Sequence, residues 1–355
     1  MDDFYKQRDE LNNKKIEAIC DELPSYVHEF IIGIHMRTSP LTRLNYVYDL
    51  RIFFDYLSKK VFKALQPNEI ELVDLEKLKA SDIESFLYYL SSSYEFQGKK
   101  YTCKERAVER KLCTLRSFFK YFFNKDKLSS NICAKVALPK KHEKPIIRLE
   151  TDEVVKLLDR ADSDNLTDIS KRENSYHEIT RVRDVAILTL FLGTGMRISE
   201  LVGLNRDDFN FSECRVRVTR KGGNQTELYF TNEIAAALQD YCAWQQQQIE
   251  YKTPFGNKIA NQNAMFYSLQ GKRISVRAVE NLVKKYASHI TEKKITPHKL
   301  RSTFGTELYR NTQDIYAVAT VLGHKDINTT RRHYAATSED IKRRAAQTVK
   351  LRDND

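Results

Sequence analysis

Two segments in the second half of the chain carry residue types that could bind a phosphate group. Arg197 lies where a Thr-Gly turn leads into a helix, and Glu200, three residues later, could hold its guanidinium in place. Such a helix start offers free backbone N–H groups and a positive dipole end to an anion. In the second segment, Pro297 fits the first helical position and places His298 and Arg301 on one helix face. Imidazole beside guanidinium suits a phosphate, because the guanidinium binds two oxygens and the imidazole can move a proton.

A lysine and a tyrosine, each close to a glycine, complete a candidate set of reactive residues. Lys221 lies in a predicted hairpin turn, from which a long cationic side chain can reach a neighbouring groove. Gly323 is expected to end one helix just before His324, and the next helix would present Tyr334 about two turns after its start. Taken alone, each segment is more often an ordinary ion pair, solvated turn or packed tyrosine. Together, in this order in one basic chain, they are not a coincidental set.

This order of residues resembles the tyrosine site-specific recombinases, the class of the phage integrases and the Xer proteins. The motifs Arg, Lys, His-x-x-Arg, Leu-Gly-His and Tyr are read at Arg197, Lys221, His298, Arg301, His324 and Tyr334. Residues 39–57 resemble the first long helix of the family's core-binding domain, and residues 108–123 resemble its last. The resemblance therefore covers roughly residues 24 to 348.

The resemblance implies a transesterification of duplex DNA that needs neither metal nor ATP. Tyr334 would attack the phosphate and form a 3′-phosphotyrosyl intermediate, which conserves the bond energy for rejoining. Arg197 and Arg301 would stabilise charge on the non-bridging oxygens, and Lys221 would protonate the departing 5′ oxygen. No cofactor is predicted, and the sequence shows no carboxylate cluster that would hold a metal ion.

The spacing between histidine and tyrosine departs from the family pattern. In most members the nucleophile follows the second histidine by nine residues, but here the ninth residue after His324 is His333, and Tyr334 is the tenth. One residue turns a helix by about 100°, so the intervening turn must absorb the difference. The nucleophile's role can pass only to Tyr334. His298 and His324 are the candidates for accepting its proton and for hydrogen bonding to the phosphate.

A basic composition favours a polyanionic partner, nucleic acid before an anionic membrane. Lys and Arg number 59 against 48 Asp and Glu, which gives a formal net charge of +11 and a pI of about 9.2. No apolar run reaches the roughly 20 residues of a membrane span, and the N-terminus is charged. A cytoplasmic, nucleoid-associated protein is expected. The six cysteines form no C-x-x-C pair and are expected to be reduced thiols.

The hydrophobic pattern predicts a mainly helical (α+β) chain of two domains. The predicted order is a charged extension at 1–23, a helical-bundle core-binding domain at 24–138, a linker at 139–147, a mainly helical catalytic domain at 148–337 and a tail at 338–355. No strand is predicted before residue 140. In the catalytic domain, residues 161–179 are predicted as a loop before an apolar helix at Val182–Leu192. Two alternating segments around Gly222-Gly223-Asn224 predict a small antiparallel sheet.

The resemblance also implies how the chain meets DNA and assembles. Both domains would clasp a duplex that carries paired inverted binding sites, and a homotetramer would form on two such duplexes. The tail at 338–355 would dock on a neighbouring protomer. A second recombinase or an accessory protein is a further candidate partner. Basic residues of the fourth helix and the linker are the candidate DNA contacts, most of them to phosphates: Lys104, Arg106, Arg110, Lys111, Arg116, Lys140 and Lys141.

Two other classes of protein could carry the same fold. A type IB topoisomerase uses the same chemistry to relax supercoils, but the small first domain and the tail after Tyr334 favour a recombinase. A catalytically silent DNA-binding protein is disfavoured because every catalytic position is filled. Among recombinases, the short segment before residue 24 favours a simple Xer-like enzyme for resolving chromosome dimers, and a mobile-element integrase is the alternative.

Overall fold

Helices dominate both halves of the chain. The computed structural model describes residues 3–139, 146–166, 168–220, 223–324 and 326–331. The chain divides into two units, Met1–Glu143 and Lys144–Asp355, and this division falls inside the predicted linker at 139–147. Helices with a small antiparallel sheet confirm the predicted fold class. No helix in the described ranges is long and apolar enough to cross a membrane.

The first unit is a helical bundle. Its main elements are α1 (Asp3–Cys20), α2 (Ser25–Gly33), α3 (Pro40–Tyr56), α4 (Leu72–Glu76), α5 (Ala80–Ser92), β1 (Tyr94–Phe96), β2 (Lys99–Tyr101) and α6 (Glu105–Phe123). α1 packs along α3 and buries Ile16, Ile19 and Cys20 in the bundle core. The segment predicted as a charged extension is therefore part of the bundle.

A short hairpin between α5 and α6 was not predicted. Its strands pair antiparallel, with Tyr94 opposite Tyr101. Gln97 and Gly98 form the turn, and both have positive φ angles of 50° and 72°, as two-residue hairpin turns require. The expectation of no strand before residue 140 is wrong, because strands of three residues are too short to show alternation.

Aromatic rings fill the core of the bundle. Seven phenylalanines from four helices have side chains that are almost fully buried: Phe30, Phe53, Phe54, Phe86, Phe118, Phe119 and Phe122. The Phe53 and Phe86 rings, from α3 and α5, meet edge to face with centroids 5.1 Å apart. Such pairs stabilise a core beyond the area they bury.

The second unit holds the candidate catalytic residues. Its main elements are α7 (Thr151–Asp162), α8 (Lys171–Thr194), α9 (Ile198–Leu201), β3 (Phe209–Asn210), β4 (Arg215–Thr219), β5 (Gln225–Tyr229), α10 (Asn232–Glu250), α11 (Pro254–Ile259), α12 (Val276–Ala287), α13 (Pro297–Thr312), α14 (Ile315–Leu322) and α15 (Ile327–Thr330). The three strands lie in the order β3-β4-β5, all antiparallel.

α8 begins well before the predicted apolar helix. Ser170 caps it by accepting a hydrogen bond from the backbone N–H of Glu173, whose carboxylate accepts one from the N–H of Ser170 in return. This capping box starts a helix in a polar stretch. The loop predicted at 161–179 is therefore wrong for residues 171–179, which are helical, and for residues 161 and 162, which end α7.

Two glycines end the helices that lead into the site. Gly195 follows α8 with φ +61°, and Gly323 follows α14 with φ +63°. A Cβ atom on Gly195 would lie 2.3 Å from the ring of Phe304. Both positions therefore require a residue that adopts the left-handed conformation without a side chain.

Candidate active site

Candidate catalytic residues meet at the C-terminal end of α14. Guanidinium groups from three separate segments donate to three successive carbonyls there: Arg220 Nη2 to Val321 (3.0 Å), Arg301 Nη2 to Leu322, and Arg197 Nη2 to Gly323 (3.2 Å). The last carbonyls of a helix lack helical donors, and the negative end of the helix dipole favours cations. Arg197 and Arg301 were predicted as site residues, whereas Arg220 was not.

A buried carboxylate orients Arg197. Glu200 is only 3% exposed, and its two oxygens accept from Arg197 Nη1 and from the backbone N–H of Arg197, both at 2.8 Å. The Arg197 side chain is 35% exposed. Its guanidinium is thus fixed on one side by Glu200 while part of it faces solvent, as an anion-binding group requires.

Arg301 is held more deeply. It lies in α13, which begins at Pro297, and is 4% exposed. Its Nη1 donates to the carbonyl of Gly195 at 2.6 Å, and its Nη2 donates to that of Leu322. One guanidinium therefore connects the ends of α8 and α14. A cation that is shielded from water interacts electrostatically with a phosphate more strongly than a hydrated cation does.

His324 follows the same turn and contacts the next helix. Its backbone N–H donates to Ala319 (2.9 Å), and its Nδ1 lies 2.8 Å from Thr330 Oγ1. Thr330, in α15, is fully buried, and sequence reasoning missed it because no motif marks it. His298 is exposed in the first turn of α13, one turn before Arg301.

Several predicted site residues lie outside the described residues. These are Lys221, Tyr334, Lys140 and Lys141. The structure thus brings together Arg197, Glu200, Arg301 and His324, and it leaves the placement of the general acid and the nucleophile as predictions. Among the residues it does describe, no group of three or more His, Cys, Asp or Glu could hold a metal ion.

The predicted DNA-contacting face of α6 is only partly exposed. Lys104 and Arg106 are exposed, and the Arg110 side chain is 48% exposed. Lys111 is 5% exposed, and its ammonium lies 2.8 Å from the buried carboxylate of Asp49.

The carboxylate of Asp49 also accepts from Arg110 and from Thr114. Arg116 donates to the carbonyls of Cys133 (3.2 Å) and Val136 (2.5 Å). Lys111 and Arg116 therefore make contacts that stabilise the bundle, and their assignment as phosphate contacts stays a prediction.

Comparisons with known proteins agree on one family. The phage integrase family matches residues 148–340, and its N-terminal SAM-like domain matches residues 28–125. The tyrosine recombinase XerC of Caldanaerobacter subterraneus subsp. tengcongensis is 34% identical over 302 residues, covering 82% of this chain and 77% of that one. The tyrosine recombinase XerS of Lactococcus lactis subsp. cremoris is 30% identical over 351 residues, covering 93% and 96%. Among solved structures, the Tn1549 transposon integrase in complex with circular intermediate DNA shares the fold, with a TM-score of 0.60 at 19% identity, covering 90% and 98%.

Proposed function

Because the chain belongs to the phage integrase family and is a site-specific DNA recombinase, we propose that Tyr334 is its nucleophile and that Arg197 and Arg301 bind the scissile phosphate. The observation that carries this proposal is the convergence of both arginines, from separate elements, on the turn that holds His324. A phosphodiester resists attack because its charged oxygens repel nucleophiles. Two fixed guanidiniums offset that charge in the transition state.

The proposed reaction exchanges one phosphodiester for another. The Tyr334 oxygen bonds to phosphorus as the bond from phosphorus to the 5′ oxygen breaks, and Lys221 gives a proton to that oxygen. The 3′ end of the cut strand is then held on the tyrosine. A 5′ hydroxyl of the partner strand reverses the step, so rejoining needs no external energy source.

A tyrosine hydroxyl needs help to attack at neutral pH, because its ordinary pKa is about 10. His324 and His298 are the proposed groups for accepting its proton and for hydrogen bonding to the phosphate. The contact between His324 Nδ1 and Thr330 Oγ1 fixes the plane of the imidazole ring. Proton transfer requires the donor and acceptor atoms to lie within hydrogen-bonding distance. A ring held in one orientation keeps that distance better than a ring that rotates.

The proposed substrate is duplex DNA with paired inverted binding sites, acted on by a homotetramer that holds two such duplexes. The net charge of +11 and the exposed side chains of Lys104 and Arg106 support a DNA partner. Relatives named XerC and XerS favour an Xer-like role in chromosome maintenance over mobile-element integration. Sequencing the DNA trapped covalently on the protein would test this role: one chromosomal site supports it, whereas the ends of a mobile element contradict it.

The nucleophile is tested with a nicked suicide substrate, which traps the covalent intermediate. Tyr334→Phe is expected to form no adduct while it binds a half-site with nearly unchanged affinity, because the ring remains and only the attacking hydroxyl is lost. His333→Phe is the matched control and is expected to retain adduct formation. An adduct with the Tyr334→Phe protein would exclude Tyr334 as the nucleophile.

A further inference from the structure

Arg220 joins the turn between β4 and β5 to the end of α14. Its backbone N–H donates to Asn224 (2.7 Å) and its carbonyl accepts from Gly223 (3.0 Å), so its main chain closes the turn. Its side chain leaves the hairpin, and Nη2 donates to the carbonyl of Val321 at 3.0 Å. Lys221, the proposed general acid, is the next residue in the chain.

The guanidinium of Arg220 lies directly against the backbone of Gly323. A Cβ atom at Gly323 would be 1.4 Å from Arg220 Nη1, so any other residue there would displace the arginine. Burial lowers the pKa of Arg220, while the nearby Glu200 carboxylate raises it and Arg197 lowers it. The Arg220 side chain is therefore packed within the site and is not a freely solvated surface group.

The hydrogen bond between Arg220 and Val321 matters more for the position of the turn than for the position of α14. Arg197 and Arg301 also donate to the carbonyls at the end of α14. On the hairpin, the buried Val216 and Val218 hold β4 in place. The described residues of the turn are 219, 220 and 223–225. Among them, only Arg220 donates a side-chain hydrogen bond to a described residue outside the hairpin.

We infer that Arg220 is a positioning residue for leaving-group protonation: by anchoring the turn on α14, it sets where Lys221 can deliver its proton. This inference rests on the proposed role of Lys221. Loss of Arg220 would leave the phosphate-binding arginines in place but would let the turn move. The defect would therefore appear in the departure of the 5′ oxygen.

Single-turnover cleavage of two suicide substrates tests the inference. One substrate has the ordinary 5′-bridging oxygen, and the other has a 5′-bridging sulfur, which leaves without a proton. Arg220→Ala is expected to slow cleavage of the oxygen substrate by about tenfold. This loss is smaller than the roughly 10²–10⁴-fold contribution typical of a general acid. The sulfur substrate is expected to restore the rate to within about twofold of the wild type, and the Arg220→Ala/Lys221→Ala double variant should be no slower than Lys221→Ala.

Arg217→Ala is the matched control, because Arg217 lies on β4, three residues before Arg220, but pairs with Asp208 at 3.0 Å. It is expected to cleave both substrates at the wild-type rate. Arg220→Lys, which keeps the charge and one donor, is expected to show a smaller defect with the same sulfur rescue. This variant decides the question if Arg220→Ala fails to bind a half-site.

Two failures are distinguishable. If Lys221→Ala is rescued by sulfur but both Arg220 variants are slowed equally on both substrates, or not slowed at all, the inference is overturned and the role of Lys221 stands. If sulfur does not rescue Lys221→Ala, the general acid itself is misassigned and the proposed function must change at that residue.

Discussion

The guanidinium of Arg301 has a structural part in the site and a proposed chemical one. It is nearly inaccessible to solvent, and it donates to the carbonyls of Gly195 and Leu322, which end two different helices. Removing a buried donor leaves its acceptors without partners, which costs about 1–3 kcal/mol for each group. The same side chain is proposed to stabilise the transition state, so one substitution should affect two measurable quantities.

Arg301→Ala is expected to lower the single-turnover cleavage rate at least about 100-fold and also to lower the melting temperature. Arg197→Ala is expected to lower cleavage by a similar factor. Arg310→Ala, in the same helix as Arg301 but paired with Glu150 at 3.3 Å, is the control and should keep the wild-type rate. Wild-type cleavage by Arg301→Ala would remove that arginine from the proposed site.

Within a single element, α6 separates buried cations from exposed ones. Lys111 shares its helix face with Leu112, Leu115 and Phe118, all buried, and its charge is neutralised by Asp49. Arg106 lies on the exposed face. A phosphate contact releases counterions from DNA, so only exposed cations should contribute to the salt dependence of binding.

Half-site binding measured across a range of salt concentrations tests this division. Arg106→Ala is expected to weaken binding and to reduce the slope of log K against log salt by about 0.9, the value for one phosphate contact. Lys111→Met fills a similar volume without the charge, so it should leave the slope unchanged and alter only the stability of the bundle. A reduced slope for Lys111→Met would show that this lysine reaches DNA.

The chain as a whole has two units, and the helical bundle of the first has its own aromatic core. The predicted tail at 338–355 lies outside the described residues. In its sequence, Ile341, Ala345 and Val349 recur every four residues, a spacing that predicts a narrow apolar stripe on a helix. Such a stripe suits docking on a neighbouring protomer, and head-to-tail contacts of this kind can close a ring of subunits.

Deletion of residues 338–355 is expected to leave half-site binding intact and to abolish the synaptic complex of two full sites, because the docking stripe is lost. Gel-shift assays with half-sites and with full sites measure the two effects. Deletion of 351–355 alone is the control, since it spares the stripe and should form the complex. Normal recombination by the longer truncation would contradict tail docking, and loss of half-site binding would place the tail in the fold of its own unit.

Features that depend on local chemistry could be predicted from the amino-acid order alone. Glycines that need positive φ ended α8 and α14 at Gly195 and Gly323, and Pro297 began α13, because these preferences act within a few residues. The family motifs occur in a set order along the chain, and that order identified Arg197, Arg301 and His324 as candidate site residues. Together with Lys221, His298 and Tyr334 they carry the resemblance to the family, and that resemblance implied phosphoryl transfer.

Which cations are buried, and what each one contacts, depends on how the folded chain packs. Lys111 and Arg106 look alike in a sequence, and only packing against Asp49 separates them. Arg220 and the carbonyl it contacts at Val321 are 101 positions apart, so no local pattern announces the contact. Hydrogen bonds between distant segments form only when the chain has folded, and they carry no periodicity that a sequence could show.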